Sequence, residues 1–408
     1  SQPVVILNGW PSIKDAFSKD EILGRPRNFS AEILLRNKEN FAGSNGKIWK
    51  EERRFAFRVF RDLGYGKQVM ESNIKDEIGY LLNEIEKRES ELIDLDRLLD
   101  PSVSNNICYL VFGRRYDYDD PIHKLRETFV TGTFRLLVFT TWLFPFILNF
   151  HKFLRVTETA KIMIKAEEFE NLIEKEVEKH EKDLNPADVR NYVDAYLVEM
   201  NERKKRGEIS SFSKSFLVSN SIGLFAAGSD TGRSTLLWLF KMISLRTDIQ
   251  EKVCKEIDSV IGKNRLPSWD DRRQMPYTQA VINEIQRWAC VVPLNLPRKA
   301  LADTSILGHF IPKGTTVIAN FWAVNRDENL WQDPNEFNPN RFLSEDGREV
   351  INTEPLIPFS YGKRACVGEI LARFELFLYF TSIMQKYKVE LPFDYEINFK
   401  SEMSLTLQ

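Results

Sequence analysis

The alternation of apolar and polar residues divides the chain into long helical stretches and a few short extended runs. Apolar residues that recur every three or four positions predict helices over residues 11–17, 71–99, 212–245, 247–262, 276–288 and 367–380. Short apolar runs bounded by Gly, Pro or Asn predict strands at residues 3–7, 292–296, 305–307, 310–311 and 315–320. Residues 24–46 and 333–358 are loop-rich and lack either periodicity. Helices therefore account for most of the predicted structure.

Four further segments indicate surface, core or terminal structure without a chemical motif. Residues 136–150 carry no charge but are interrupted by Pro145, so they are too short and kinked for a membrane-spanning helix and indicate a buried helix pair. The charge runs at 174–183 and 203–206 are typical of solvated helix faces or loops. The first ten residues are strand-like and contain neither a signal peptide nor an apolar run of membrane length.

Composition indicates a globular protein from a reducing compartment. The chain has 408 residues, 43% of them hydrophobic and 12% aromatic, which is ample for one large domain or two ordinary ones. Its net charge of −2 gives no sign of binding to nucleic acid. The four cysteines, at positions 108, 254, 290 and 366, show no paired spacing. They do not suggest a disulfide framework.

Cys366 stands in the strongest chemical motif of the chain. Phe359, Gly362, Arg364 and Gly368 surround it in the sequence FSYGKRACVG, and the apolar segment 367–380 follows at once. A cysteine just before a helix faces unpaired amides and the positive end of the helix dipole, which favour the thiolate. One thiolate without clustered ligands does not suit zinc but fits haem iron. The alternative is a buried cysteine that binds nothing.

This cysteine segment resembles the haem-binding loop of the cytochromes P-450. Its continuation, GEILARFELFLYF, is similar to microsomal animal members that oxidise drugs, steroids and fatty acids. The resemblance implies a mainly α fold with a smaller β-rich lobe, as one domain over residues 1–408. It also implies haem b with Cys366 as the iron ligand, and Phe359, Arg364 and Gly368 around the cofactor. Such members begin with a membrane anchor. This chain begins directly with the predicted strand 3–7, so we expect it to lack that anchor and, by the same comparison, the extreme C-terminus.

The centre of the predicted helix 212–245 carries a second motif. Gly228 and Gly232 lie in the helix interior, where each glycine costs around 1 kcal/mol relative to alanine. Small residues there offer a groove to a flat ligand, with Asp230 and Thr231 beside it. The motif resembles the family's A-G-x-D/E-T, in which the threonine orients dioxygen and the acid supplies protons. The alternative is a glycine pair that serves helix packing. Many members of the family carry a second Thr or Ser where this chain has Gly232, so the details of the proton relay stay open.

Two basic regions suggest contacts with the haem propionates. Trp49 and Arg53 are spaced i, i+4, so one helix face presents an indole N–H beside a guanidinium. This pair resembles the family's W-x-x-x-R helix, although alone it would suggest an ordinary surface contact. Arg298 follows Pro297, where the family places a basic residue on a propionate.

Glu284 and Arg287 match the family's E-x-x-R, and Arg341 matches the third member of its buried ion triad. The E-x-x-R spacing alone is uninformative because it recurs elsewhere in the chain, but the order of the motifs selects this pair. Buried charges must be mutually paired. We therefore expect a structural triad that holds the cysteine loop against the core.

The resemblance predicts a monooxygenase that inserts one oxygen atom from O₂ into a lipophilic small molecule. The sequence shows no dinucleotide or flavin fingerprint, so electrons must come from a partner. The resemblance implies NADPH-cytochrome P450 reductase, with cytochrome b5 as a second donor, at the cytoplasmic face of the endoplasmic reticulum membrane. Lys50, Arg54 and Lys363 are predicted to form the docking face.

Two other functions remain open from sequence. One is a haem-thiolate isomerase or hydroperoxide-rearranging enzyme, against which the Asp230-Thr231 pair argues. The other is a haem-binding sensor or carrier without turnover. In all cases a set of apolar residues is predicted to border the ligand cavity: Phe225, Ala227, Val292, Leu296 and Leu405. By resemblance, residues 136–150 would supply lid helices whose outer loop dips into the membrane.

Overall fold

The computed structural model describes residues 3–26, 40–88, 91–130, 132 and 158–392. The predicted segment 136–150 and Leu405 lie outside these residues. The helices of the described residues are α1 (Trp10–Ser18), α2 (Gly46–Asp62), α3 (Gln68–Glu86), α4 (Leu95–Phe112), α5 (Glu158–Lys182), α6 (Tyr192–Lys205), α7 (Lys214–Leu245), α8 (Thr247–Val260), α9 (Pro276–Ala289), α10 (Phe321–Val324) and α11 (Glu369–Lys386). Residues 121–130 are helical as well.

The strands are few and short. They are β1 (Val4–Leu7), β2 (Arg298–Lys299), β3 (Thr304–Ile306), β4 (His309–Ile311) and β5 (Thr316–Ala319). Strand β5 lies between β1, which is parallel to it, and β2, which is antiparallel, while β3 and β4 form a separate two-stranded sheet. The mainly α fold with a small β-rich lobe is thus confirmed.

The β lobe is closed by helix α1. Trp10, Ile13 and Phe17 recur at helical spacing and are buried in one apolar cluster with Val317 of β5. Phe17 has a further role described below, because its backbone meets the cysteine loop.

Two predictions of secondary structure were wrong. The helix predicted over 71–99 is two helices, α3 and α4: the Arg88 guanidinium folds back to donate to the Glu84 carbonyl at 2.5 Å, and residues 91–94 are not helical. Residues 292–296 form a turn in place of the predicted strand. Pro293 has no amide to donate, and Asn295 adopts a left-handed φ of 51° that no strand allows.

The chain divides into two compact units. The first comprises residues 1–26, 74–96 and 231–408, and the second comprises residues 27–73 and 97–230. The single domain predicted from sequence stays a prediction. In the second unit an aromatic core joins α4, α5 and α7 through Phe112, Phe169 and Phe225. Of the helices that the structure describes, none is both long and apolar enough to cross a membrane.

Candidate functional site

The backbone around Cys366 forms a tightly closed loop. The Cys366 amide donates to the Phe359 carbonyl at 2.8 Å, and the Ala365 amide donates to Gly362 at 2.9 Å. Gly362 has a φ of 74°, and a Cβ there would lie 2.1 Å from the Phe17 carbonyl oxygen of α1. Only glycine satisfies both conditions. The loop therefore rests directly on α1.

The sulfur of Cys366 is accessible at the start of a helix. Gly368 is the N-cap residue of α11, and its amide donates to Cys366 Sγ at 3.3 Å. Cys366 is exposed, whereas burial raises the pKa of the Cys290 thiol to about 12 and also raises the pKa of Cys254. A Cβ on Gly368 would make only an ordinary contact with the sulfur, at 3.7 Å. Gly368 thus contributes its amide to the sulfur, and this does not require glycine.

Two buried arginines support the same loop from within. The Arg364 Nε donates to the Leu23 carbonyl at 3.0 Å. Arg298 is fully buried, lies over the Phe17 ring at 3.4 Å and donates from Nη2 to the Tyr361 carbonyl at 2.7 Å. Both guanidinium groups therefore hold the backbone that precedes Cys366. The propionate contact predicted for Arg298 stays a prediction.

Phe359 is half-buried at the start of the loop. The Arg373 guanidinium of α11 lies over its ring at 5.0 Å. This cation–π contact joins the two ends of the cysteine segment. The contact of Phe359 with the cofactor stays a prediction.

Trp49 and Arg53 lie on α2, in the second unit. Trp49 is buried, and the Arg53 guanidinium lies over the Phe57 ring at 4.8 Å. The i, i+4 spacing places the two residues on the same side of the helix. Their contact with a propionate stays a prediction.

Helix α7 has an unusual pattern of accessibility around Asp230 and Thr231, here called the acid and alcohol motif. Three residues spaced four apart are accessible in an otherwise mostly buried stretch: Gly223 and Thr231 are half-buried, and Ala227 is exposed. Asp230 is buried. The Ser229 hydroxyl donates to the Phe225 carbonyl at 2.7 Å and the Thr235 hydroxyl to the Thr231 carbonyl at 2.8 Å. Such back-bonding slightly destabilises and often bends a helix.

Gly228 and Phe225 of the same helix both pack against other helices. A Cβ on Gly228 would lie 2.9 Å from Cγ1 of Ile107, so its lack of a side chain lets α4 and α7 pack closely. Helix packing, the alternative weighed from sequence, accounts for this glycine, and the cofactor contact stays a prediction. Phe225, predicted as a cavity wall, is fully buried between Phe112 and Phe169. Its side chain belongs to the core.

The remaining cavity residues lie in the turn before β2. Val292 is half-buried and Leu296 is 39% exposed. The backbone carbonyls of Leu296 and Pro297 both accept from Arg25, at 2.9 Å each. This turn is thus fixed in position and presents apolar side chains.

The structure brings the three charges of the predicted triad together. Glu284 and Arg287 are fully buried; the Arg287 Nε donates to Glu284 Oε2 at 2.7 Å and the Arg341 Nε to Oε1 at 3.1 Å. Arg287 also donates to the carbonyls of Asn325 and Pro334. These bonds hold the segment 325–341 against α9. They do not reach the cysteine loop, which was the expected target.

Glu52 and Arg233 are two of the buried charged residues that the sequence analysis did not identify. Glu52 lies on the apolar face of α2, where its carboxylate accepts from Tyr196, Ser211 and Asn220. Arg233 lies in α7 and pairs with Asp96 of α4. For Glu52 the available signal was one charge on a helix face that otherwise carries Trp49, Phe55 and Ala56.

The donor set around Cys366 fits a haem. One accessible sulfur receives an amide N–H at a helix start, and the part of the chain that the structure describes contains no group of three or more His, Cys, Asp or Glu able to hold a metal ion. A single thiolate is a known protein ligand of haem iron, and the porphyrin supplies further ligands of that iron.

Comparisons with known proteins agree with this site. The family described as Cytochrome P450 matches residues 1–408. Cytochrome P450 2J2 of Homo sapiens is 36% identical over 413 residues, covering 99% of this chain and 80% of that protein. Cytochrome P450 2J1 of Oryctolagus cuniculus is 37% identical, with coverage of 99% and 80%. Cytochrome P450 2U1 of Homo sapiens is 36% identical, with coverage of 96% and 72%.

Proposed function

The chain belongs to the cytochrome P450 family, and we propose that it oxidises a lipophilic small molecule with electrons that NADPH-cytochrome P450 reductase delivers to a haem held by Cys366. Members of this family bind haem b and act as monooxygenases, which insert one oxygen atom of O₂ into the substrate. The observation that carries the proposal is the exposed Cys366 sulfur, which accepts the Gly368 amide at the start of α11.

Cys366 is the residue that would hold the haem iron, because its surroundings favour the anion. The Gly368 amide at 3.3 Å and the N-terminal dipole of α11 both stabilise a thiolate. When bound, the haem supplies the chemistry of O₂ activation, and a thiolate ligand favours cleavage of the O–O bond. Arg298 and Arg364 keep the loop in place. Trp49 and Arg53 are assigned to the propionates.

Asp230 and Thr231 are assigned to proton delivery. Thr231 is partly accessible on α7, so its hydroxyl can hold a proton at Oγ1 close to bound substrate. Asp230 is buried next to it and can pass protons to that hydroxyl. Exposed Ala227 and the turn residues Val292 and Leu296 are assigned to an apolar substrate surface.

The electron donor is proposed to dock on exposed cations. Lys50 and Arg54 are exposed on α2, and Lys363 is exposed in the cysteine loop with its Nζ 2.6 Å from Asp20. Charge reversal at Lys50 and Arg54 should slow reductase-supported turnover and weaken its salt dependence, while hydroperoxide-supported turnover stays unchanged. Unchanged reductase kinetics would rule out this docking face. Cytochrome b5 is proposed as a second donor, and the endoplasmic reticulum membrane, cytoplasmic face, as the location.

The thiolate ligand is tested by the spectrum of the ferrous protein with carbon monoxide. The wild type should show the strongly red-shifted Soret band of a thiolate ligand, and Cys366→Ser should lose it. Cys254→Ser is the matched control and should keep the band, because its sulfur is partly buried and bonds the Met384 carbonyl. A band that survives in Cys366→Ser would overturn the assignment.

NADPH consumption with reductase and candidate lipophiles separates the possible activities. A monooxygenase consumes NADPH and releases oxygenated product. Turnover of hydroperoxides without NADPH would favour the isomerase, and a loaded haem without either activity would favour the sensor or carrier.

A further inference from the structure

Helix α7 contains one buried cation close to the acid and alcohol motif. Arg233 is 7% exposed, and its Nε and Nη2 donate to the two carboxylate oxygens of Asp96 at 2.5 and 2.6 Å. Asp96 lies in the first turn of α4, a favourable position for an acid. A bidentate pair of this kind fixes both distance and orientation.

The pair lies behind the motif on the helix. Arg233 lies two positions after Thr231, and this spacing corresponds to a rotation of about 200° around a helix. Burial agrees with that geometry, since Thr231 is partly accessible whereas Arg233 is buried. The ion pair therefore holds α7 from the side opposite Thr231.

The helix between these two sides is intrinsically weak. Gly228 and Gly232 flank the motif, and glycine is a poor residue for a helix interior. The hydroxyls of Ser229 and Thr235 both bond backbone carbonyls four residues earlier, which favours bending. A segment of this composition needs an external constraint to keep one conformation.

We propose that the Arg233–Asp96 ion pair is a clamp that positions the Asp230-Thr231 turn of α7. Arg233 and Asp96 are positioning residues that act through Thr231. The clamp rests on the proposed roles of Asp230 and Thr231, and it adds the group that sets their orientation. An apolar residue could have filled the same space, but a bidentate ion pair specifies one position of α7 relative to the first turn of α4.

The first test is amide hydrogen exchange of residues 226–236, which does not depend on activity. Asp96→Asn removes the carboxylate and should accelerate exchange in this segment by about tenfold or more, because local opening becomes easier. Asp96→Glu keeps the charge and should remain close to the wild type. The matched control is Asp100→Asn, one turn further along α4, which breaks the buried ion pair of Asp100 with Arg126. It should leave exchange of 226–236 unchanged, although its carboxylate is the more buried of the two: the Asp96 side chain is 43% exposed and that of Asp100 is 12% exposed.

The second test is the yield of product per NADPH in the haem-loaded enzyme. Asp96→Asn and Arg233→Met should lower this yield and raise peroxide release by between about threefold and about a hundredfold, since a displacement of about 1 Å can cost ~10²-fold. The carbon monoxide spectrum should not change. Asp100→Asn should keep the wild-type yield even where it lowers thermal stability.

The outcomes separate the clamp from the roles of Thr231 and Asp230. If Asp96→Asn and Asp100→Asn alter exchange and yield alike, the pair is merely structural and the clamp is refuted. If Thr231→Ala keeps the wild-type yield, the assigned role of Thr231 fails, whereas the exchange of 226–236 still decides whether the clamp orders this turn.

Discussion

Replacement of Glu52 by Gln should change the stability of the protein in a direction that depends on pH. Glu52 is fully buried on α2. Its Oε1 accepts from Tyr196 at 3.0 Å and from Ser211 at 2.9 Å, and its Oε2 accepts from Asn220 at 3.1 Å. Burial raises the pKa of Glu52, and the three hydrogen bonds and the charge of Arg203 offset this only in part.

The magnitude follows from the hydrogen bonds that glutamine can keep. Its amide oxygen can replace Oε1 and retain both hydroxyl donors, but its NH₂ would then face the NH₂ of Asn220. Asn220 cannot turn over without losing the Phe41 amide, which donates to its Oδ1 at 2.9 Å. One unsatisfied buried donor costs about 1–3 kcal/mol. With entropy changes typical for a chain of this size, that lowers the melting temperature by about 1–4 °C.

The sign of the pH dependence follows from the raised pKa. A glutamine does not titrate. Relative to it, Glu52 contributes most to the free energy of unfolding below its ordinary pKa of 4.5, and it loses this contribution as pH rises through its raised pKa in the folded protein. The deficit of Glu52→Gln should therefore shrink as the pH rises above 4.5, the ordinary pKa of the carboxyl, as measured by thermal unfolding.

Glu199→Gln on α6 is the matched control with the opposite sign. Burial alone would raise the pKa of Glu199, but the hydrogen bond from Arg203 and the charge of Arg58 lower it below its ordinary value. Its contribution is present above the ordinary pKa and is lost on acidification, so the deficit of Glu199→Gln should grow with pH. If the two variants follow the same trend, or if Glu52→Gln shows none, the reasoning about Glu52 is wrong.

Three other substitutions test the packing around the site. Gly362→Ala should lower thermal stability by more than the ~1 kcal/mol typical of a strained turn, because its Cβ would lie 2.1 Å from the Phe17 carbonyl; a smaller loss would show that the loop can move. Glu284→Ala should cost about 3–5 kcal/mol in unfolding free energy, since it leaves Arg287 buried without its carboxylate, and a cost below ~1 kcal/mol would contradict the buried triad. Gly79→Ala in α3 should stabilise the protein by about 0.5–1 kcal/mol, because no atom lies within 4 Å of the new Cβ, and a loss of stability would contradict that free space.

The sequence predicted those features of the site that depend on residues close together along the chain. The frame around Cys366 predicted a tight turn and a helix start, because the residues that form this loop lie within ten positions of one another. The i, i+3 spacing of Glu284 and Arg287 likewise predicted a pair on one helix face. Most helix positions followed from periodicity for the same reason.

Tertiary structure alone decided which distant residues meet. The sequence did not indicate that Ile107 lies beside Gly228, or that the Phe225 ring lies against Phe112 and Phe169. Arg233 meets Asp96 across 137 positions. Periodicity specifies which face of a helix is apolar but not which element covers that face, so the partner of a buried charge or a missing Cβ is set only when the helices pack.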